Sequence, residues 1–111
     1  FAYPLSGGFS LTGLDRAPDG GFVALERFYA PVIGPRARIT RFAAPSADGA
    51  VEPELLASIA PPFPTDNFEG ISAVRMPDGA TRIYIVSDNN KSAQQRTLLL
   101  AFDVIETPAA D

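Results

Sequence analysis

Hydrophobic residues in this chain come in short bursts separated by turn-forming residues, and two of the bursts stand out. Phe22 to Glu26 and Arg82 to Val86 are nearly continuous apolar runs of aromatic and β-branched types. Such runs suit strands covered on both faces, since a half-exposed strand would alternate. Each is preceded by a further predicted strand, Phe9 to Ala17 and Gly70 to Arg75. Each of these ends in a Pro-Asp-Gly turn, Pro18-Asp19-Gly20 and Pro77-Asp78-Gly79. Proline presets φ in such a turn and glycine accepts positive φ. Third strands are expected at Arg38 to Phe42 and Thr97 to Val104, the latter carrying Leu98-Leu99-Leu100-Ala101-Phe102. Leu55 to Ile59 reads as a fourth strand of the first unit, reached through Ser46-Ala47-Asp48-Gly49. Its rival is a helix over Pro53 to Ala60. Glu54-Leu55-Leu56-Ala57 has fair helix propensity, but flanking prolines leave room for two turns at most, and strand is the preferred reading. Pro61-Pro62-Phe63-Pro64 then makes an extended connection.

The same unit is therefore written twice. Gly13 and Gly70 stand 57 positions apart, and Pro18 and Pro77 stand 59 apart. Strand-turn-strand units at this spacing suit propeller blades, whose known periods are about 40 to 50 residues. The expected fold is all-β, two consecutive antiparallel blades of a β-propeller. Blade one covers about 9–60, and blade two about 67–105 without its outer strand. Glu106 to Asp111 read as a frayed tail. A propeller closes with roughly four to eight blades, so the segment is expected to be a fragment of a larger ring. An early strand of the whole protein would fill the gap in blade two, placing this segment at the C-terminal end. Phe1, in place of an initiating methionine, agrees with a fragment.

Composition narrows the partners. With 111 residues, 46% hydrophobic and 20% charged, the chain has the make-up of a folded globular protein. Its net charge of −4 and the absence of any lysine or arginine block argue against nucleic acid. The longest uncharged stretches, Phe1 to Leu14 and Leu55 to Thr65, are too short and too broken by Pro and Gly to cross a membrane. There is no cysteine and no histidine. That removes thiolate nucleophiles, zinc sites built on Cys or His, and any Ser-His-Asp relay within the chain. A metal held by these residues must be held by oxygen, which favours calcium or magnesium. Ser72, Ser87 and Ser92 do not sit in a Gly-x-Ser-x-Gly elbow.

Candidate chemistry clusters around the second unit. Asp66-Asn67-Phe68-Glu69-Gly70 opens its first strand, and the corresponding position in the first unit is Thr12, so the repeat does not require Glu69. First strands lie innermost in a blade, where Glu69 could face a central channel and help bind a hard cation. An Asx turn with a solvated Glu69, or a structural ion pair, are the competing readings. Asp88-Asn89-Asn90 follows the strongest strand, and Asp88 and Asn90 could add metal contacts, although ordinary turn chemistry explains them as well. Glu26 and Arg27 hold the matching place in the first unit and read as a charge couple at the sheet edge. Lys91 and Arg96 flank the following loop, where they could meet an anionic substrate or simply be solvated. No catalytic residue is nominated.

Asn67-Phe68-Glu69-Gly70-Ile71, the run Arg82 to Asn90, and Gln95-Arg96-Thr97-Leu98-Leu99-Leu100-Ala101-Phe102 together resemble the end of the phytase-like family, whose described activity is an esterase-like activity of phytase. Leu11 to Asp15, the Pro18-Asp19-Gly20 turn and Leu25-Glu26-Arg27 are similar to its preceding blade. The resemblance implies a β-propeller, typically exported by bacteria to the periplasm or beyond, with a hydrolytic role. Glu69 matches the family's Asn-Phe-Glu-Gly motif. Asp88 and Asn90 match its Ser-Asp-Asp-Asn-like motif, with Asn89 where an aspartate is common. The expected function is metal-assisted hydrolysis of esters or phosphoesters at a channel-mouth site completed by the remaining blades. Glu69, Asp88 and Asn90 would hold calcium there, and Lys91 and Arg96 would meet a small-molecule substrate. The alternative is a non-catalytic exported propeller binding a ligand or protein partner through its loops, such as the apolar insertion Ala30-Pro31-Val32-Ile33-Gly34-Pro35.

Overall fold

The computed structural model describes residues 2–31, 34–45, 49, 51–60, 68–87 and 97–105. These form two antiparallel sheets and, among the described residues, no helix. Sheet one is a meander of β1 (Ser10–Arg16), β2 (Phe22–Ala30), β3 (Gly34–Phe42) and β4 (Glu54–Ile59). Sheet two has the order β5 (Phe68–Arg75), β6 (Thr81–Ser87), β7 (Leu99–Asp103). The all-β expectation holds, as does strand over helix at residues 54–59.

The two Pro-Asp-Gly turns make matching hydrogen bonds. In the first, Gly20 N donates to Ala17 O at 3.0 Å and Ala17 N to Gly21 O at 2.7 Å; in the second, Gly79 N donates to Met76 O at 2.9 Å and Met76 N to Ala80 O at 2.8 Å. Asp19 accepts from Gly21 N at 3.0 Å and Asp78 from Ala80 N at 2.9 Å. Gly20 and Gly79 take φ of 97° and 89°, values that L side chains rarely adopt. Both first strands also bulge, four pairs from the turn in sheet one and six in sheet two. Thr12 is skipped between the pairs Leu11↔Glu26 and Gly13↔Leu25, and Glu69 between Phe68↔Ser87 and Gly70↔Val86.

That register fixes counterparts, and it corrects one assignment. Counted from the bulge, Leu25 corresponds to Val86, so Glu26 corresponds to Ser87 and Arg27 to position 88. The pair Glu26 and Arg27 is thus offset by one from the place matched to Asp88 and Asn89. Nor is it a couple at a sheet edge, because β2 is a central strand and Glu26 is only 3% exposed. A second correction concerns residues 30–35. β2 runs on to Ala30 and β3 begins at Gly34, with Tyr29↔Pro35 and Ala30↔Gly34 paired, so Ala30, Gly34 and Pro35 of the expected insertion belong to the ladder. Charged Arg27 and Arg36 do not end the strands, because cross-strand pairing and an aromatic stack of Phe28 on Phe9, 5.5 Å between centroids, carry the hairpin onward. Val32 and Ile33 lie outside the described residues.

The sheets share one core. Val23, Leu25, Ala37, Ile39 and Ile59 of sheet one pack with Phe68, Ile83 and Ile85 of sheet two. β1 and β5 run side by side in the same direction. A Cβ at Gly13 would come within 3.0 Å of Ile71 Cγ2, so glycine permits this approach. Asp15 accepts from Ala73 N at 2.8 Å, and Thr12 Oγ1 donates to Phe68 O at 3.3 Å, which satisfies backbone on the edge of β5. The packing is head to tail. Sheet one presents Val23 and Leu25, whereas sheet two presents Ile83 and Ile85, the counterparts of Phe22 and Ala24. The counterparts of Val23 and Leu25 in sheet two are Tyr84 and Val86, which look away; Val86 is exposed, as are Val74 and Leu99 on the same face.

Candidate functional site

Antiparallel pairing brings Glu69 to the end of sheet two at which β6 stops. β5 starts where β6 stops, since Phe68 pairs with Ser87. Glu69 therefore sits beside the point at which the chain leaves β6 toward Asp88. Ser87 N donates to Leu98 O at 2.9 Å, and Leu98 N to Ser87 Oγ at 2.8 Å, so the chain also returns at this same end. Asp88, Asn90, Lys91 and Arg96 lie outside the described residues, between these two anchored points.

Glu69 is placed by the bulge in β5, which frees its side chain from the in-and-out alternation of the strand. Its Oε1 accepts from Arg27 Nη1 at 3.1 Å, a bridge from sheet two to sheet one. Both side chains are partly exposed, 44% and 32%. A pair in such surroundings contributes about 0–1 kcal/mol to stability. Its consequence is mainly geometric: the guanidinium fixes the carboxylate at the seam between the sheets. Among the described residues no three acidic side chains converge. Glu69 by itself is not a cation site.

A second polar cluster occupies the same end on the far face of sheet one. Glu26 Oε1 accepts from Arg38 Nε at 3.0 Å and Nη2 at 2.6 Å. Tyr3 Oη donates to Glu26 Oε2 at 2.5 Å and lies 2.6 Å from Thr40 Oγ1. Arg38 also donates to Ser6 O at 3.1 Å, and its guanidinium rests over the Phe9 ring, 3.6 Å from the centroid. The segment 2–9 is thereby latched across sheet one. Burial, followed by the bond to Glu26, pushes the Tyr3 hydroxyl up from 10.0 to about 12. A groove of about 270 Å³ beside this cluster is lined by Leu5, Glu26, Arg38, Thr40, Pro53 and Leu55. Every buried side-chain polar atom among the described residues has a partner, so the cluster is a closed latch with no orphaned group aimed at a ligand. A larger open space, about 460 Å³, lies at the opposite end, next to the Pro18-Asp19-Gly20 turn, and is remote from Glu69.

Sequence reasoning nominated Glu69 and did not single out Arg27 as its partner, nor Tyr3 and Arg38 as partners of Glu26. One signal was available for Glu26: a carboxylate inside an apolar run, on a strand covered on both faces, must have a cation nearby. Nothing local pointed to Arg27–Glu69, whose members are 42 positions apart.

The comparisons bear on the same stretch of chain. A family model for phytase-like proteins, described as esterase-like activity of phytase, matches residues 1–91. No curated protein and no solved structure matches. The match takes in both Pro-Asp-Gly turns, both bulges and Glu69, the features that the two sheets repeat or single out. By that measure the chain belongs to the phytase-like family.

Proposed function

We propose that this chain forms part of an exported, blade-built hydrolase that acts on phosphoesters or related esters, with Glu69 at the mouth of its site. Family membership supports esterase-like, phytase-type function in general. The observation that carries the finer reading is the position of Glu69 in the β5 bulge, beside the end of β6 after which Asp88 and Asn90 follow. The head-to-tail packing supports the blade reading, because it leaves two faces of the kind that already meet inside the molecule. One is the Tyr84 and Val86 face; the other, carrying Leu11 and Leu14, is covered in part by residues 2–9.

An ester with anionic character meets a difficulty in a chain of net charge −4. A divalent cation, calcium in this proposal, would reverse the local sign and polarise the ester. Glu69 supplies one carboxylate, so such an ion would be held jointly with Asp88 and Asn90, with Lys91 and Arg96 as cationic contacts for substrate. Arg27 has two effects there: it holds Glu69 at the seam, and its positive charge competes with a cation for the same carboxylate. Residence in the periplasm or beyond is part of the same proposal. Among the described residues no helix is long and apolar enough to cross a membrane.

The test is hydrolysis of phosphate and carboxylate esters by the intact protein, with and without chelator. Chelation is expected to abolish turnover, and Glu69→Gln to lower it without changing the circular dichroism spectrum. Turnover indifferent to both removes the proposal. A second reading, a non-catalytic propeller binding a ligand or protein partner, is favoured by the engagement of Glu69 with Arg27 as a structural joint. It predicts no ester turnover, and a Glu69→Gln variant that keeps its partner while the sheets lose a little mutual stability.

A further inference from the structure

Where β1 runs beside β5, the residues that the two bulges release from pairing act across the seam. The ladders skip Thr12 in β1 and Glu69 in β5, and a skipped residue is freed from the strand's alternation of faces. The two side chains use that freedom in opposite directions. Glu69 reaches back to Arg27 of sheet one at 3.1 Å. Thr12 reaches forward, and its Oγ1 lies 3.3 Å from Phe68 O, the carbonyl of the peptide unit that leads into Glu69.

The following peptide unit is approached from the same side. A Cβ on Gly13 would stand 3.5 Å from Glu69 O and 3.0 Å from Ile71 Cγ2, so the Glu69 carbonyl also packs on β1. Both peptide planes that flank the Glu69 Cα therefore meet sheet one. Phe68 C and O are coplanar with Glu69 N and Cα, so the direction of Phe68 O sets the φ from which the Glu69 side chain departs. The Thr12 hydroxyl has a single proton and a second carbonyl, Leu25 O, within reach at 3.4 Å. Both contacts exceed the usual O–H···O range of about 2.5–3.0 Å, so the hydroxyl contributes direction more than stability. The stronger bond of this seam lies further along β5, where Asp15 accepts from Ala73 N at 2.8 Å.

We infer that Thr12 is a positioning residue for Glu69: its hydroxyl sets the Phe68–Glu69 peptide plane, so that the carboxylate meets Arg27 at the seam. The site proposed at Glu69 is then a joint product of the two sheets, its carboxylate carried by one and aimed by the other. This inference rests on reading Glu69 as a site residue, and its primary test uses neither substrate nor metal.

The test follows the Nε nitrogen signal of Arg27 by NMR in the intact protein. Glu69→Gln supplies the reference for a guanidinium without the Glu69 carboxylate. Thr12→Val keeps the β-branched shape and removes the hydroxyl; it should move the signal most of the way to that reference, and Thr12→Ala should do the same. Thr12→Ser should restore the native position. Asp15→Ala, which removes the stronger bond of the same seam, should lower the urea midpoint of unfolding and leave the signal near its native position. A native signal in folded Thr12→Val or Thr12→Ala overturns the inference. So does an equal shift in Asp15→Ala, because the hydroxyl would then be one more strut of the seam. Ester turnover, measured separately, keeps the two readings apart: normal turnover in Glu69→Gln removes the hydrolytic role and leaves the Arg27 result standing, whereas turnover that needs Glu69 beside an unmoved Arg27 signal removes the role of Thr12 alone.

Discussion

Sheet one and sheet two share a skeleton and differ at almost every position where the skeleton meets solvent or a neighbour. The turn glycines, a bulge in the first strand and the antiparallel pairing of the first two strands occur in both, with two more residue pairs between bulge and turn in sheet two. At matched sites the side chains diverge: Leu11 is 41% exposed where Phe68 is wholly buried, Thr12 stands where Glu69 reaches out, and the Glu26–Arg38 ion pair is replaced by Ser87 and Leu98. The difference teaches how duty is divided between the two sheets. Backbone conformation is fixed by a few residues with special φ or register demands, which must recur. Contacts at the open end of each sheet carry no such demand, so one unit uses its second strand for a structural latch and the other delivers the chain toward Asp88.

Truncating Phe68 should have the largest effect. Phe68→Ala removes the wholly buried ring that joins the sheets and is expected to cost about 3–5 kcal/mol, whereas Leu11→Ala at the matched position costs under about 1 kcal/mol. Urea denaturation of both variants reads this directly, and equal losses would break the asymmetry. Next comes the latch. Arg38→Met leaves the Glu26 carboxylate buried with only Tyr3 and is expected to cost about 3 kcal/mol. Ser87→Ala, at the position matched to Glu26, removes the acceptor of Leu98 N and costs about 1 kcal/mol.

The pH dependence of the latch follows from Tyr3. Its hydroxyl holds its proton more tightly when folded, with the pKa raised from 10.0 to about 12. The stability it contributes is complete below pH 10 and declines as pH rises from there through 12. Alkaline titration of the unfolding midpoint should show this decline in the native chain and a shallower one in Tyr3→Phe. If the two profiles are parallel, the hydroxyl is not the responsible group. Arg27→Gln should give the smallest change, about 0.5 kcal/mol, because the pair with Glu69 is partly exposed. Its disappearance in high salt would mark it as electrostatic.

Much of the fold was legible in the chain, for reasons that particular residues make plain. Pro18-Asp19-Gly20 and Pro77-Asp78-Gly79 encode hairpin turns locally, and the apolar runs at Val23 and Ile83 announce central strands; cover on both faces holds for β2, whereas in β6 Val86 on the outer face is exposed. The ends of β2 and β3 were not legible, because their last pairs, Phe28↔Arg36 and Tyr29↔Pro35, draw on cross-strand contacts and not on propensity. The site divides the same way. Glu69 could be picked out because it breaks the repeat, but its joint with Arg27 depends on two sheets meeting, and no pattern within either strand contains that information. On the outer face of sheet two, Arg82 binds Asp103 at 2.7 Å and holds its carboxyl below the usual range. That pairing of residues 21 positions apart likewise required the β6–β7 register.

The amino-acid order by itself determined where the chain turns and which segments extend, because these rest on φ preferences and short-range hydrophobic pattern. The tertiary structure alone decided which face of each sheet is buried, that Glu26 is latched by Tyr3 and Arg38, and that Glu69 lies at a seam. Those outcomes depend on the direction in which one sheet stacks on the next, a choice settled by the packing of Phe68, Ile83 and Ile85 against Val23 and Leu25 and absent from any single strand.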